Sequence, residues 1–495
     1  MVFNSLDFMV FFPIVFLVYC IVPKRVRYIW LLLSSYYFYM CWNAKYALLL
    51  LCSTIITWLG GLLIERCKNK QKNCRYIVLF SFVINLVILV FFKYFDFVLE
   101  NINHMLNSVG GALLSKPYDI ILPIGISFYT FQALGYTVDV YRGDVKAERN
   151  ILKYALFVSF FPQLAAGPIE RAGNMMNQIE NCERITICDL RRVASGIVLI
   201  FWGLFQKMVI ADRVAILVNT VFNSYYMYHS YELVVGAVAY ALQIYCDFAS
   251  YSTIAMGVAK VIGFNVMENF NAPYFAMSIQ EFWRRWHISL STWFRDYLYI
   301  PLGGNRCSKF KKYRNLMITF LVSGLWHGAS WTYILWGGLH GIYQIIGAEL
   351  MPIKEKINKV CNTKTDCFSY KLGRVIITFV LVDLAWIFFR SSTVHDAVYY
   401  IQRMFVKWNP WALFDGTLYT LGLNRFNMNI LIVCCIVLFL VDCLQYFKHI
   451  TIDKFLEAQS IWFRWGVLII LILSIVIYGM YGPQYSAQQF IYFQF

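Results

Sequence analysis

Apolar runs near the length needed to cross a bilayer, about 20 residues, recur along the chain with short polar or basic breaks between them. The pattern predicts membrane-spanning helices near 7–23, 26–42, 46–64, 76–93, 151–166, 194–211, 232–248, 316–334, 372–389, 427–447 and 462–480. Three more apolar segments, 118–137, 251–264 and 335–350, are interrupted by Gly, Pro or polar residues. They read as re-entrant or short helices, tolerated at membrane depth only where protein or a cavity surrounds them. The expected fold is all-α: a polytopic membrane protein of about 11 transmembrane helices plus re-entrant and interfacial ones.

Composition agrees. Of 495 residues, 60% are hydrophobic and 19% aromatic, with only 14% charged, against about 25% charged in soluble domains. A large soluble enzyme is excluded, and so is a disordered chain, which would be poor in aromatics. The formal charge of +16 is spread through connections between apolar runs. It therefore points to topology and membrane lipid, and no nucleic-acid partner is expected. The connection 24–27 carries Lys24, Arg25 and Arg27, and 65–75 carries Arg66, Lys68, Lys70, Lys72 and Arg75. Span counting puts both on one face, cytoplasmic by the positive-inside rule, with the N-terminus outside. No positive charge precedes the first apolar run, so that run is expected to be a retained span rather than a cleaved leader. The 14 cysteines are scattered without CxxC or Cys/His spacing, so neither a disulfide framework nor a metal site is expected.

Ionisable residues in membrane-like sequence are costly and mark candidate chemistry. They concentrate in 280–341. Over Glu281–Leu298, a continuous helix would bring Arg284, His287, Ser291 and Arg295 within an arc of roughly 80°. Phe282, Trp286, Leu290, Trp293 and Tyr297 would lie opposite. That is an amphipathic interfacial helix, with an imidazole that anchoring alone does not require. Further on, His327 follows an apolar approach and is flanked by Gly324, Gly328, Ala329 and Ser330. Such small residues admit another helix or a substrate close to the backbone. A neutral imidazole there can take a proton from a hydroxyl. His340 falls near the opposite side of an unbroken helix and reads as a core histidine bonded between helices. No carboxylate or nucleophilic serine is spaced for a triad, so direct transfer assisted by a histidine base is the simpler chemistry.

Six further segments sharpen the picture: Pro123–Gln132, Phe161–Arg171, Tyr245–Ser252, Phe282–Ser291, Tyr299–Asn305 and Gly324–Trp331, followed by Phe490–Phe495. In this order they resemble the membrane-bound O-acyltransferase (MBOAT) family, most nearly its bacterial branch around the alginate O-acetylation membrane subunit. The resemblance implies one integral membrane domain over 1–495 with a central funnel. N-terminal transmembrane helices would occupy 1–115, the core 116–350 and C-terminal helices 351–495. It implies His327 as the principal catalytic residue and His287 as the second. Trp286, Arg284, Ser291, Arg295, Trp326, Ser330 and Asn305 are the substrate-channel candidates.

The implied reaction moves an acetyl group from a cytoplasmic thioester such as acetyl-CoA, or from an acyl carrier, to hydroxyls of an extracellular or cell-wall polysaccharide. It would run in a bacterial cell membrane with an extracytoplasmic SGNH-type partner; no such domain, and no tightly bound cofactor, is expected in this chain. The alternatives are a D-alanyl transfer protein for teichoic acid, which uses a small acidic carrier, and, in other classes, a transporter or export channel or a membrane scaffold.

Overall fold

The structure is a computed structural model. It describes the whole chain except residues 117–120, 165–166, 188, 407, 409–410, 412–413, 482–489 and 492–495. The described residues form helices and connections with no strand, as the apolar pattern predicts. Parts of three expected features (118–120 of one interrupted segment, 165–166 of one span, and 492–495 of the closing motif) lie outside the described residues.

Seven helices among the described residues are long and apolar enough to cross a membrane: Ala44–Asn69, Arg75–Ser108, Leu190–Asn223, Ser230–Ile262, Phe368–Arg390, Arg425–Lys448 and Ile461–Tyr478. The expected count of 11 is not reached. Leu6–Ile21 has 16 residues and Arg27–Met40 has 14. The helix expected over 151–166 stops after nine residues, at Ser159. There Phe160 turns away with φ −51° and ψ 111°, and Pro162 has no N–H to offer the Val158 carbonyl.

Two other boundaries move. The segments 232–248 and 251–264 belong to one helix, Ser230–Ile262. The hydroxyls between them bond back to their own helix, Ser250 Oγ to Asp247 O and Thr253 Oγ1 to Ala249 O, both at 2.7 Å, so the polar residues do not break it. The expected span 316–334 is split instead. One helix, Lys309–His327, ends at His327, and a second, Trp331–Val360, takes in all of 335–350.

The chain forms two compact units, Met1–Gly196 with Ala255–Met267, and Ile197–Ile254 with Glu268–Phe495. In the first, the helix Ile126–Arg142 is buried along nearly its whole length and is bracketed by Gly125 and Gly143, both with positive φ. A Cβ on Gly61 would meet the Tyr136 hydroxyl at 2.6 Å, so glycine lets these helices close up. In the second unit, Lys309–His327 and Trp331–Val360 form a tight helical hairpin. A Cβ on Gly324 would run into the Tyr333 carbonyl, and one on Gly337 into the Phe320 carbonyl. Ser330 caps the second helix by accepting the Thr332 N–H at 3.3 Å.

Burial differs sharply between helices. Only 6% of the apolar window in Ile461–Tyr478 is buried, against 78% in Ser230–Ile262. Ile, Leu and Val displayed on that scale are stable against lipid tails rather than water.

Gly324→Ala or Gly337→Ala should therefore destabilise the detergent-solubilised protein by about 1–3 kcal/mol through overpacking. Gly347→Ala and Gly373→Ala, which meet nothing within 4 Å, should be neutral or stabilising. Thermal unfolding of the four variants checks the contrast; equal shifts would refute the close-packed hairpin.

Candidate active site

The predicted amphipathic helix over Glu281–Leu298 is broken in the middle. Ile279–Arg285 and Ile288–Phe294 are separate seven-residue helices, followed by a π-helical turn, Arg295–Tyr299. Between the first two, Trp286 is extended (φ −104°, ψ 129°) and His287 is left-handed (φ 43°, ψ 55°). A left-handed non-glycine residue costs about 1–2 kcal/mol, so something outside the segment must hold it.

That support is Asn269, which is buried. Its main-chain carbonyl accepts the Ile288 N–H at 3.0 Å, and its Oδ1 accepts the Ser289 N–H at 3.1 Å. These are amides that a helix start leaves unsatisfied. Two residues on, Asn271 N–H donates to Arg285 O at 3.0 Å, and the Arg285 guanidinium donates back to Asn271 O at 3.2 Å. The Arg285 guanidinium also pairs with Glu281 at 3.0 Å. The segment 269–271 thus clamps the chain on both sides of the break.

The break turns the His287 ring into the interior, where it is 0% exposed, and His327, the last residue of its helix, is 2% exposed. Forty residues apart in sequence, the two rings lie 6.3 Å apart, centroid to centroid. Trp326 is 5.9 Å from His287 and 5.0 Å from His327. Around His327 stand Trp336 at 4.9 Å and Phe389 at 5.4 Å, and Phe248 meets His287 edge-on at 4.6 Å. Trp386 stacks on Trp336 at 5.5 Å and closes on Trp286 at 5.0 Å. In this aromatic surround burial pushes the His287 imidazole down to about 3, so it is neutral near pH 7. Among the described residues no group of three or more His, Cys, Asp or Glu could hold a metal ion.

Of the channel candidates, Trp286 and Trp326 are buried in this enclosure. Ser291 is half-buried, with its Oγ 3.3 Å from the Trp286 carbonyl, and Ser330 is the half-buried helix cap. Arg284, Arg295 and Asn305 are exposed. Arg295 pairs with its neighbour Asp296 at 2.7 Å, and Asn305 accepts the Tyr299 hydroxyl at 2.7 Å. The expected cationic stripe is therefore not one face: its arginines are outside and its histidine is inside. His340 accepts the Trp283 indole N–H at 3.2 Å, a core histidine bonded between helices. Sequence reasoning missed Asn269, Phe248, Trp336, Trp386 and Phe389. Phe248 and Trp336 lay inside segments already singled out, whereas Trp386 and Phe389 look like ordinary residues of an apolar span.

Asn269→Ala should lower stability by about 1 kcal/mol, the worth of a lost helix-start acceptor. The check is the thermal midpoint of the purified protein, and an unchanged midpoint would mean that the Asn269 carbonyl holds the turn by itself.

Comparison with known proteins identifies the family. Residues 38–394 match the family MBOAT, membrane-bound O-acyltransferase. A probable alginate O-acetylase of Pseudomonas syringae pv. tomato is 39% identical over 417 residues, covering 83% of this chain and 76% of that protein. A peptidoglycan O-acetyltransferase of Helicobacter pylori is 32% identical over 529 residues, covering 98% and 95%. A teichoic acid D-alanyltransferase of Bacillus subtilis is 28% identical over 292 residues, covering 56% and 71%. The chain belongs to the membrane-bound O-acyltransferase family and is an acyltransferase.

Proposed function

We propose that this acyltransferase moves an acetyl group from a thioester donor to hydroxyls of an extracellular or cell-wall polysaccharide, with His327 as general base. The carrying observation is the convergence of His287 and His327, from separate helical elements, in one buried aromatic enclosure. The relatives that cover most of the chain support the acceptor class, since alginate and peptidoglycan are both polysaccharides.

In this reading the His327 imidazole withdraws the proton of the accepting hydroxyl, on the polymer itself or on the partner that delivers to it, as the oxygen attacks the thioester carbonyl. The tetrahedral intermediate collapses, the thiolate leaves, and the proton held on His327 returns to it as thiol. General-base assistance of this kind contributes about 10²–10⁴-fold. The rest comes from holding acceptor and donor in line within a site that excludes water. His287, neutral in its aromatic surround, orients the acyl group or passes the proton. Trp286 and Trp326 line the enclosure, the half-buried Ser291 and Ser330 line the channel, and Arg284, Arg295 and Asn305 act at the approach from the surface.

The donor is acetyl-CoA or an acyl carrier on the cytoplasmic face of a bacterial cell membrane, the N-terminus is outside, and an SGNH-type partner completes delivery to the polymer. The second reading, D-alanyl transfer to teichoic acid, draws on a relative that matches only 56% of the chain.

The test is alkali-released acetate and D-alanine from envelope and secreted polymers, wild type beside His327→Ala at matched protein level. Loss of acetate of at least about 100-fold is the expected outcome. Loss of D-alanine instead would move the assignment to the teichoic-acid reading, and no change in either would remove His327 from the chemistry.

A further inference from the structure

A second buried polar cluster includes Asp247, the residue before Phe248, whose ring meets His287. Within Leu190–Asn223 the helix widens to a π turn over Phe205–Ala211. That register brings residues five apart onto one face. Lys207 Nζ accordingly lies 2.8 Å from Asp212 Oδ1, and it also lies 2.5 Å from Asp247 Oδ1. All three side chains are 10% exposed or less. Apolar residues of similar volume would serve packing as well as a buried ion cluster does, and intramembrane charge by default marks function.

What the cluster touches indicates its role. The second oxygen of Asp247, Oδ2, accepts the Ile491 N–H at 2.7 Å. A carboxylate already held by Lys207 thus takes a charge-assisted hydrogen bond from the chain's closing segment. The bond fixes the preceding residue: Phe490, 3% exposed, stacks on Tyr251 at 4.7 Å and lies 5.9 Å from Phe248. Phe248 follows Asp247 in the chain and is the ring that meets His287. The same π turn also holds the end of the helix Ile461–Tyr478. Met208 O accepts the Met480 N–H at 2.9 Å, and Arg213 donates to Tyr478 O at 2.6 Å.

We propose that the Lys207–Asp247 pair clamps residues 490–491 against Phe248 and so fixes one wall of the His287 site. Lys207, Asp247 and the Ile491 N–H are then positioning groups for acyl transfer. This role rests on the acetyl-transfer reading; the clamp itself does not.

The experiment uses the full chain in nanodiscs. Ile491→Pro removes the single N–H and leaves all three charged side chains in place, so folding is not threatened by an unpaired buried charge. Asp247→Asn is the companion variant. Hydrogen–deuterium exchange of the peptide containing Phe490 should accelerate in both, with exchange in Lys309–His327 unchanged. With acetyl-CoA, the SGNH-type partner and an oligosaccharide acceptor, kcat should fall by about tenfold or more, with donor KM held within about twofold, as displacement of a supporting wall predicts.

Unchanged exchange in folded Ile491→Pro overturns the clamp. Faster exchange with wild-type kcat overturns the positioning role. If the wild-type protein transfers no acetyl from the thioester with partner and acceptor both present, the acetyl reading and the positioning role built on it fall together, while exchange still decides the clamp.

Discussion

Every main-chain N–H and C=O held away from water needs a hydrogen-bond partner, and inside a membrane an unsatisfied one costs several kcal/mol. An unbroken helix meets this requirement alone, but it cannot turn a side chain such as His287 inward. Two departures from α-helix in the second unit are answered by groups outside the departing turn. Asn269 serves the break before Ile288. Met480 and Arg213 serve the π turn at Phe205–Ala211, where Arg213 also reaches the Val209 carbonyl at 2.7 Å. The site exists where these outside partners exist.

The aromatic enclosure has a related logic. Its rings bury the His287 imidazole, and burial disfavours the charged form. Rings meeting edge-on at about 5 Å also add roughly 0.5–1.5 kcal/mol per pair beyond burial. That offsets the left-handed backbone at His287 and the tight approach of the hairpin carrying His327. The hairpin is rigid because backbone meets backbone at Gly324 and Gly337, so Trp336 and His327 keep a fixed relation.

Much of this was legible in the chain. The two histidines stand out because imidazole is rare in apolar sequence, and the small residues around His327 announced a close approach that the hairpin shows. The break at Trp286–His287 was not legible. Glu281–Leu298 has the apolar spacing of a good interfacial helix, and the groups that break it are Asn269 and Asn271, from a distant connection. The continuity of Ser230–Ile262 was hidden for the opposite reason: Ser250 and Thr253 look like interruptions until their hydroxyls are seen bonded to their own helix. Lys207 was passed over as one charge inside an apolar span, although its isolation there was itself the signal.

The helix Ile461–Tyr478 has 18 residues and so rises only about 27 Å, a little less than the roughly 30 Å thickness of bilayer hydrocarbon. A helix of that rise that starts at one edge of the hydrocarbon and runs along the bilayer normal ends short of the other edge, so its closing carbonyls need a donor other than water. In Ile461–Tyr478 the Arg213 guanidinium is such a donor, giving a hydrogen bond to the last carbonyl, Tyr478 O, at 2.6 Å. Hydrophobic mismatch is commonly relieved by tilting a helix or thinning the lipid; a guanidinium on the last carbonyl is a third way to meet it, and it serves the least buried of the seven candidate spans among the described residues.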